Sequence, residues 1–273
     1  QEVHVENGGS LKTVSYNNLG RYGRLGNQMF QYAALIGTSR LLERNSVAPV
    51  GARVGESCLR ECFRLGACTD AYESEVFAQY KEGGFNFDVN MVPEMMKVEG
   101  NIDMVGYFQS DKYWKHCEDQ VMREFKFHDS NHMSVNKWIS DQKVNPEEYV
   151  SIHVRRGDYV NLQHTHPVQK DGYYLQALEF FPEDKFIVFS DDPNLAENSD
   201  LFGSLDNAVF SDLNQYQDLN LMSRCKGHII ANSSFSWWGA ALGGGRTIAP
   251  KEWFGPRGPN NWDDVYRDDW VIV

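Results

Sequence analysis

A chain of 273 residues is long enough to bury a substantial core, as one large domain or two medium ones. Its hydrophobic share of 41%, with seven Trp, thirteen Tyr and sixteen Phe, excludes a disordered protein, and no stretch approaches the roughly 18 apolar residues needed to cross a bilayer. A formal net charge of -12 argues against a nucleic-acid partner bound through its phosphates, although a local basic pocket could still hold a small anion.

The cysteine content bounds the redox chemistry of the chain. Five cysteines cannot all pair within one chain, and their spacings do not provide two C-x-x-C knuckles for zinc. We therefore expect mostly free, reduced thiols. The five are Cys58, Cys62, Cys68, Cys117 and Cys225.

A glycine-rich turn that feeds a helix is the clearest feature of the N-terminal half. Residues 1–10 are typical of a loose tail or a tag remnant, and a weak strand follows within 11–20. Glycines at 20, 23 and 26 then lead into a helix expected over about 27–42. This geometry presents backbone N–H groups to an anion, whereas the alternative is that the glycines only permit tight packing.

The middle of the chain carries weaker signals. We expect a strand over 102–108, an amphipathic helix with apolar residues between 113 and 125, and a short helix within 128–147. The Asn145-Pro146 pair breaks the pattern. It predicts a boundary between an N-terminal α/β domain at 11–145 and a C-terminal domain at 146–273.

A short apolar run, YVSIHV at 149–154, predicts a buried strand that ends at a group of charges. His153, Arg155, Arg156 and Asp158 arrive there together, and ligands of open α/β sheets bind beyond the carboxyl ends of strands. Two adjacent arginines match the oxygens of a diphosphate. The alternatives are a salt-bridged strand end, or an Arg-Gly-Asp adhesion loop, which the preceding buried strand disfavours.

Two further strands of the second half end in polar residues. A strand over 185–192 ends in Asp191 and Asp192, one of which we expect to accept hydrogen bonds from a nucleotide, unless Asp192 only caps a turn with Pro193. Another, over 227–234, runs into the segment 232–235 at a helix start, which can cradle an anion or act as an ordinary N-cap. Alternating strands and helices predict a doubly wound α/β domain.

Three sequence blocks resemble glycosyltransferase family 11, the α-1,2-fucosyltransferases. The blocks are HVRRGDY at 153–159, GRLGNQMFQYAAL at 23–35 and NSSFSWWGAAL at 232–242, in the family's order and spanning most of the chain. GYFQS at 106–110 is similar to a further family element that we place near the acceptor cleft. The resemblance implies a GT-B-like α/β fold, with two Rossmann-like halves facing a central cleft and a C-terminal tail packing back.

The resemblance also implies a reaction and its residues. L-Fucose would pass from GDP-fucose, held by the C-terminal half, to the 2-hydroxyl of a terminal galactose, with inversion. The catalytic residues would be Arg156, Asp158 and His153, with Arg156 the principal diphosphate contact. The donor-binding residues would be Arg155, Arg156, Asn27, Asp191, Asp192, Asn232, Ser233, Ser234 and Phe235.

Cofactor and metal motifs are sparse. No D-x-D pair occurs, and many nucleotide-sugar enzymes bind a divalent cation through such carboxylates. His164 and His166 form an H-x-H pair that more simply decorates a loop. Serine-hydrolase, phosphate-loop and zinc-protease motifs do not occur either. We therefore predict an enzyme with no cofactor and no metal.

The compartment and two rival functions complete the expectations. Animal members of the resembled family are membrane-anchored Golgi enzymes, and this sequence shows no signal or anchor, so we expect a cytoplasmic bacterial or viral type, or a Golgi-lumen enzyme if an anchor was trimmed. The rivals are a fucosyltransferase of another linkage and a noncatalytic GDP-sugar or glycan-binding protein. The acceptor, the catalytic base and the oligomeric state stay open.

Overall fold

Two parallel β-sheets organise the fold, which a computed structural model describes for residues 11–273 apart from the side chain of Leu195. The tail predicted at 1–10 lies outside these described residues. The strands are β1 (Thr13–Ser15), β2 (Asn45–Ala48), β3 (Arg53–Val54), β4 (Ser57–Cys58), β5 (Thr69–Asp70), β6 (Val76–Lys81), β7 (Asn101–Val105), β8 (Tyr149–Val154), β9 (Lys185–Ser190), β10 (Ala208–Phe210), β11 (Gly227–Ile229), β12 (Arg246–Ala249) and β13 (Val271–Ile272).

Helices connect the strands in both halves. They are α1 (Leu25–Leu42), α2 (Leu59–Cys62), α3 (Met91–Met95), α4 (Glu118–Glu124), α5 (Asp129–Gln142), α6 (Asp171–Leu178), α7 (Pro193–Glu197), α8 (Gln215–Met222) and α9 (Ser234–Gly243). The predicted helices at 27–42 and within 128–147 are confirmed as α1 and α5.

Because the strands of each sheet are parallel, their carboxyl ends, where the charged segments of the sequence begin, lie on the same side of the sheet. The first sheet runs β5-β2-β1-β7-β6 and the second β10-β9-β8-β11-β12-β13, with parallel pairing throughout both. Parallel sheets need cover on both faces, which explains the buried Val150, Ile152 and Val154 of β8. The two sheets confirm the α/β class.

One apolar core joins the two halves. Trp237 and Trp238 of α9 are fully buried against Phe30 of α1, and Trp238 stacks on Trp114 with ring centroids 5.3 Å apart. These residues belong to a single cluster that also includes residues of the first sheet, such as Val14 and Ile102. Residues from both halves of the chain therefore fill the same space.

Helix α5 packs on the second sheet, although it precedes the predicted boundary. Trp138 of α5 shares a cluster with Ile187 of β9 and Leu221 of α8. The C-terminal tail returns to the first half, where Arg267 donates to Glu118 at 2.6 Å and Phe87 N–H donates to Asp264 at 2.9 Å. The division into domains at 145/146 stays a prediction.

The strands expected over 185–192 and 227–234 end earlier, at Ser190 and Ile229. Two elements of the first half depart further from the sequence expectations, for local reasons. The strand expected over 102–108 ends at Val105, because the Glu82 carboxylate accepts the N–H groups of Tyr107 and Phe108 and removes them from the sheet. The helix expected between 113 and 125 is broken at buried Trp114, whose φ of -140° and ψ of 3° are not helical. Two 3₁₀ turns and the short α4 replace it.

Two further findings concern the chain as a whole. All five cysteines are free, and Cys58, Cys62, Cys117 and Cys225 are buried. Within the described range 11–273, none of the helices combines the length and the apolar character needed to span a membrane.

Candidate functional site

A cavity of about 930 Å³ lies where the carboxyl ends of the two sheets face each other. Its walls come from the turn before α1, the loops after β8 and β9, and the start of α9. The predicted site residues on the wall are Asn27, His153, Arg155, Asp158, Asp191, Asn232, Ser233, Ser234 and Phe235. Arg156 and Asp192 are not among the lining residues.

Two carboxylates fix the guanidinium of Arg155 on the cavity wall. Its Nη2 donates to Asp158 Oδ1 at 2.7 Å, and its Nε lies 3.3 Å from Asp191 Oδ2. The guanidinium carbon lies 5.2 Å from the ring centre of Tyr159, and the side chain is 14% exposed. A planar cation held on three sides is oriented in advance for an anionic ligand.

Arg156 has different surroundings. Its Nη2 lies 3.8 Å from Asp171 at the start of α6, which does not line the cavity, while its backbone N–H donates to Asp191 Oδ1 at 2.9 Å. Asp191 therefore fastens the loop after β8 to the end of β9. The sequence favoured Arg156 as the principal diphosphate contact, but in the structure Arg155 is the one on the cavity wall.

Asp158 connects the two halves across the cavity. Besides Arg155, it lies 3.8 Å from Arg24 Nη2, in the turn that precedes α1. Arg24 also lines the cavity, and its side chain is 62% exposed. A second guanidinium is therefore available opposite Arg155, and it escaped the sequence reasoning because it lies just before the recognised helix.

His153 is buried and neutral. Its Nδ1 lies 2.8 Å from Ser236 Oγ, and its ring lies 5.5 Å from that of Phe235. Burial, helped by the neighbouring Arg155 charge, lowers the His153 pKa to about 3. The imidazole therefore packs the loop beside the cavity as an uncharged ring, and its catalytic role stays a prediction.

The N-termini of α1 and α9 meet at the cavity. A Cβ built on Gly26 would lie 2.5 Å from the backbone carbon of Ser234, so only glycine permits this approach. Ser233 caps α9 by accepting from Phe235 N–H at 3.3 Å. Both helix starts direct free N–H groups and positive dipole ends to the same region, which favours an anion.

Two amide side chains on the wall have distinct functions. Asn232 is buried, and its Nδ2 donates to Pro167 O at 3.0 Å and to Trp253 O at 3.1 Å, so it holds two loops together. Asn27 Oδ1 accepts from Gln109 Nε2 at 2.8 Å. Gln109 brings the GYFQS segment into the cavity.

Asp218 of α8 is a lining residue that the sequence did not reveal. Its Oδ1 accepts from Ser211 Oγ at 2.5 Å, and burial, helped by the charge of Asp212, raises its pKa to about 7. Helix α8 could have been recognised by its capping box, in which Asn214 and Gln217 exchange side-chain and backbone bonds. The approach of Asp218 to the cavity has no local sequence signal.

The remaining sequence candidates lie near the cavity without forming a metal site. His166 stacks on Tyr159 with ring centres 5.0 Å apart and lines the cavity. Asp192 N–H donates to Ser190 Oγ at 3.1 Å. Between residues 11 and 273, no group of three or more His, Cys, Asp or Glu side chains is arranged to hold a metal ion.

A cavity between the carboxyl edges of two facing parallel sheets, with an oriented arginine and two helix N-termini on its wall, defines a GT-B-like fold with a site suited to an anionic ligand. The sequence model of Glycosyl transferase family 11 matches residues 9–273. The chain belongs to this family, and the resemblance seen in its motifs is confirmed.

Curated relatives agree with this assignment. An "Alpha-1,2-colitosyltransferase" from Escherichia coli is 31% identical over 301 residues, covering 92% of this chain and 96% of the relative. A "Galactoside 2-alpha-L-fucosyltransferase SEC1" from Bos taurus is 30% identical, covering 83% of this chain and 64% of the relative.

Solved structures confirm the fold prediction. The α-1,6-fucosyltransferase NodZ, soaked with GDP-fucose, superimposes with a TM-score of 0.60 at 12% identity, covering 92% of this chain and 97% of NodZ. POFUT1 in complex with GDP-fucose gives a TM-score of 0.54 at 12% identity, over 87% of this chain and 97% of POFUT1.

Proposed function

We propose that the protein transfers L-fucose from GDP-fucose to the 2-hydroxyl of a terminal galactose, with inversion at the transferred carbon. The proposal rests on the position of Arg155. Asp158 and Asp191 hold its guanidinium on the wall of a cavity that two helix N-termini also reach. The family membership and the names of the relatives support the same reaction.

The leaving group requires most of the catalytic help. As the bond between fucose C1 and the phosphate oxygen breaks, negative charge grows on GDP while the sugar gains oxocarbenium character. Arg155, Arg24 and the free N–H groups at the starts of α1 and α9 neutralise that charge. Holding donor and acceptor in line supplies the rest, because a positioned pair reacts as one molecule.

Two side chains near the donor site could receive the acceptor proton. Burial lowers the His153 pKa to about 3, so the imidazole is a weak base near neutral pH, while Asp158 is paired with Arg155 at 2.7 Å. A dissociative transition state develops little charge on the attacking hydroxyl before bond formation. We propose that Asp158 receives the proton late, while its main role is to orient Arg155.

The guanine base is the part of the donor that a carboxylate can select. Guanine presents its N1–H and 2-amino groups as donors side by side. Asp191 is occupied by Arg155 and by the Arg156 backbone, whereas Asp218 accepts from the Ser211 hydroxyl and, in the ionised form present near and above its pKa of about 7, still has acceptor capacity. We therefore assign the guanine contact to Asp218, in place of the Asp191 or Asp192 contact expected from sequence.

Metal independence is part of the proposal. The cations that would neutralise the diphosphate are arginines of the chain itself, so the reaction should need no divalent ion and no cofactor. The partners would be GDP-fucose and a galactose-terminated glycan. The cytoplasmic location stays a prediction.

Colitose is a second candidate donor sugar, because the relative named as a colitosyltransferase is 31% identical over 92% of the chain. Colitose is the 3-deoxy form of fucose, so both sugars would present the same anomeric carbon and diphosphate to Arg155. The two rival functions, a fucosyltransferase of another linkage and a noncatalytic binding protein, are tested in the same assay.

The test measures GDP release from GDP-fucose and from GDP-colitose, with and without lactose, all in EDTA, with the product linkage read by NMR. Lactose-stimulated release from GDP-fucose and a 1,2-linked product would establish the proposed reaction and its metal independence. Faster turnover of GDP-colitose would identify colitose as the donor sugar. A different linkage would identify another acceptor atom, and GDP binding without release would indicate a binding protein.

A further inference from the structure

Two exposed tyrosines lie on loops that also carry lining residues of the cavity, and we call these two loops, 22–24 and 106–109, the rim. Tyr22 is 49% exposed and directly precedes Gly23 and Arg24 of the wall. Tyr107 is 42% exposed and lies two residues before Gln109. Exposed aromatic rings on loops that also form the wall of a binding cavity favour a ligand with an apolar face.

The two loops that carry these tyrosines are joined by one buried side chain. Gln31 of α1 is fully buried, and its Nε2 donates to Tyr22 O at 3.3 Å and to Gly106 O at 3.4 Å. The Tyr16 hydroxyl also donates to Gly106 O. The two tyrosines therefore belong to a single braced rim, because both loops are bonded to the same nitrogen.

The exposure of Tyr107 is built into the backbone. Glu82 accepts from Tyr107 N–H at 2.7 Å and from Phe108 N–H at 3.0 Å. Phe108 has a φ of +53°, a conformation that a bulky residue adopts only when its surroundings impose it. This turn buries Phe108 against Tyr16 and Tyr113 and leaves the Tyr107 ring in solvent.

The same loop delivers a polar group to the cavity. Gln109 is 8% exposed, lines the cavity and donates to Asn27 Oδ1 at 2.8 Å. A carboxamide has two donor hydrogens and an acceptor oxygen, so Gln109 keeps bonding capacity for sugar hydroxyls. The rim is therefore aromatic and the wall below it is polar.

We propose that Tyr22, Tyr107 and Gln109 form the subsite that binds the acceptor galactose. Galactose has one face of C–H groups, which suits the exposed rings, and hydroxyl groups around its edge, which suit the Gln109 amide. The opposite wall holds Arg155, so a sugar on this rim would turn a hydroxyl to the donor. The inference rests on the proposed function; to the segment at 106–110, already expected near the acceptor cleft, it adds the individual residues and their chemistry.

The experiment varies lactose at saturating GDP-fucose for the wild type, Tyr107→Ala, Tyr22→Ala and Tyr107→Phe. We expect each alanine variant to raise the KM for lactose by about ten-fold, because one stacking contact is lost. Tyr107→Phe keeps the aromatic ring, so its KM for lactose should equal that of the wild type. The KM for GDP-fucose and the slow release of GDP without acceptor should not change. Phe77→Ala is the matched control. Phe77 is 73% exposed and lies near the start of β6, whereas Glu82, which accepts from Tyr107 N–H, follows the end of that strand.

The outcomes separate the two proposals. An active wild type whose alanine variants keep the lactose KM within about two-fold would overturn the acceptor subsite alone. Equal increases in both KM values would also overturn it, because a general distortion affects donor and acceptor together. A wild type that transfers no fucose to lactose would overturn the proposed function and the subsite with it.

Discussion

Arg155 and Arg156 show how adjacent identical residues acquire different functions. Consecutive side chains of an extended segment point to opposite sides. Arg155 consequently lies on the cavity wall between two carboxylates, and Arg156 lies next to Asp171. The sequence could identify the pair as a diphosphate site but could not rank its members.

Replacing each arginine in turn tests the ranking. We expect Arg155→Ala to lower kcat/KM by about 10² to 10³, as for the loss of one donor that stabilises leaving-group charge. Arg156→Ala should cost about ten-fold or less, because its backbone contact with Asp191 survives the change. Steady-state kinetics of the two variants decide the matter, and a larger loss for Arg156→Ala would restore the ranking expected from sequence.

Asp218 predicts a pH dependence of stability. Folding raises its pKa from an ordinary value of 3.8 to about 7, so the protonated carboxyl is the form that the fold favours. Its contribution to stability is complete below about pH 4 and is lost as the pH rises towards 7, at a slope on the order of 1 kcal/mol per pH unit. Asp218→Asn does not titrate and should lack this loss.

Urea denaturation of the wild type and Asp218→Asn across that range measures the difference. The free energy of unfolding of the wild type should fall relative to the variant as the pH rises, and then level off above about pH 7. Parallel profiles would show that the carboxyl is solvated in the folded protein.

The residues that sequence located share a local signal. His153 lies at the end of β8, Arg155 and Asp191 follow apolar strands, and Asn27 follows a glycine turn; all four lie on the wall, as the rule about strand ends and helix starts predicts. Arg156 and Asp192 follow the same strands but do not line the cavity. The rule about strand ends does not specify side-chain direction, so it could not exclude them. Gln109 was reached through the family element at 106–110, whereas Asp218 depends on tertiary packing and could not be found this way.

At the scale of elements, the junction of α1 and α9 positions the cavity. The starts of the two helices touch through Gly26, where any larger residue would meet the Ser234 backbone. Backbone atoms yield less readily than the end of a side chain. The relative position of the two helix N-termini is therefore set by main-chain contact, and the sequence blocks around each helix gave no sign that they would meet.

Gly26→Ala should displace this junction. We expect it to lower the free energy of unfolding by about 2 kcal/mol, the usual cost of overpacking, and to reduce turnover more than stability alone explains. Thermal unfolding and kcat are the measurements. The matched control is Gly172→Ala in α6, where a Cβ would have no neighbour within 4 Å, so it should be neutral or slightly stabilising. Equal behaviour of the two variants would show that the helix starts can separate freely.

Element prediction succeeded where apolar periodicity was strong. The strand β8 and the helices α1 and α5 were expected within a few residues of their observed bounds. The edge strands β5 and β6 lay in a region without clear signals, because neither contains a buried residue: both residues of β5 are exposed, and β6 alternates half-buried and exposed residues. Trp114 broke a helix that periodicity alone predicted, since its burial is a tertiary demand.

At the scale of the whole molecule, the shared core predicts cooperative unfolding. Trp237 and Trp238 of the C-terminal half pack in one cluster with Phe30 and Ile102 of the N-terminal half. Neither sheet can lose its partner without exposing these rings. Calorimetry should show one transition with matching calorimetric and van't Hoff enthalpies. Two resolved transitions would instead support independent domains.

The interlocked tryptophans also limit how such enzymes can exchange parts. A chimera that joins the first half of one relative to the second half of another would bring together α1 and α9 surfaces that were never fitted to each other. Recombination at the apparent midpoint of the chain should therefore be poorly tolerated. New acceptor preferences would arise more easily by changing the rim loops around Tyr22 and Tyr107, which leave the α1–α9 contact untouched.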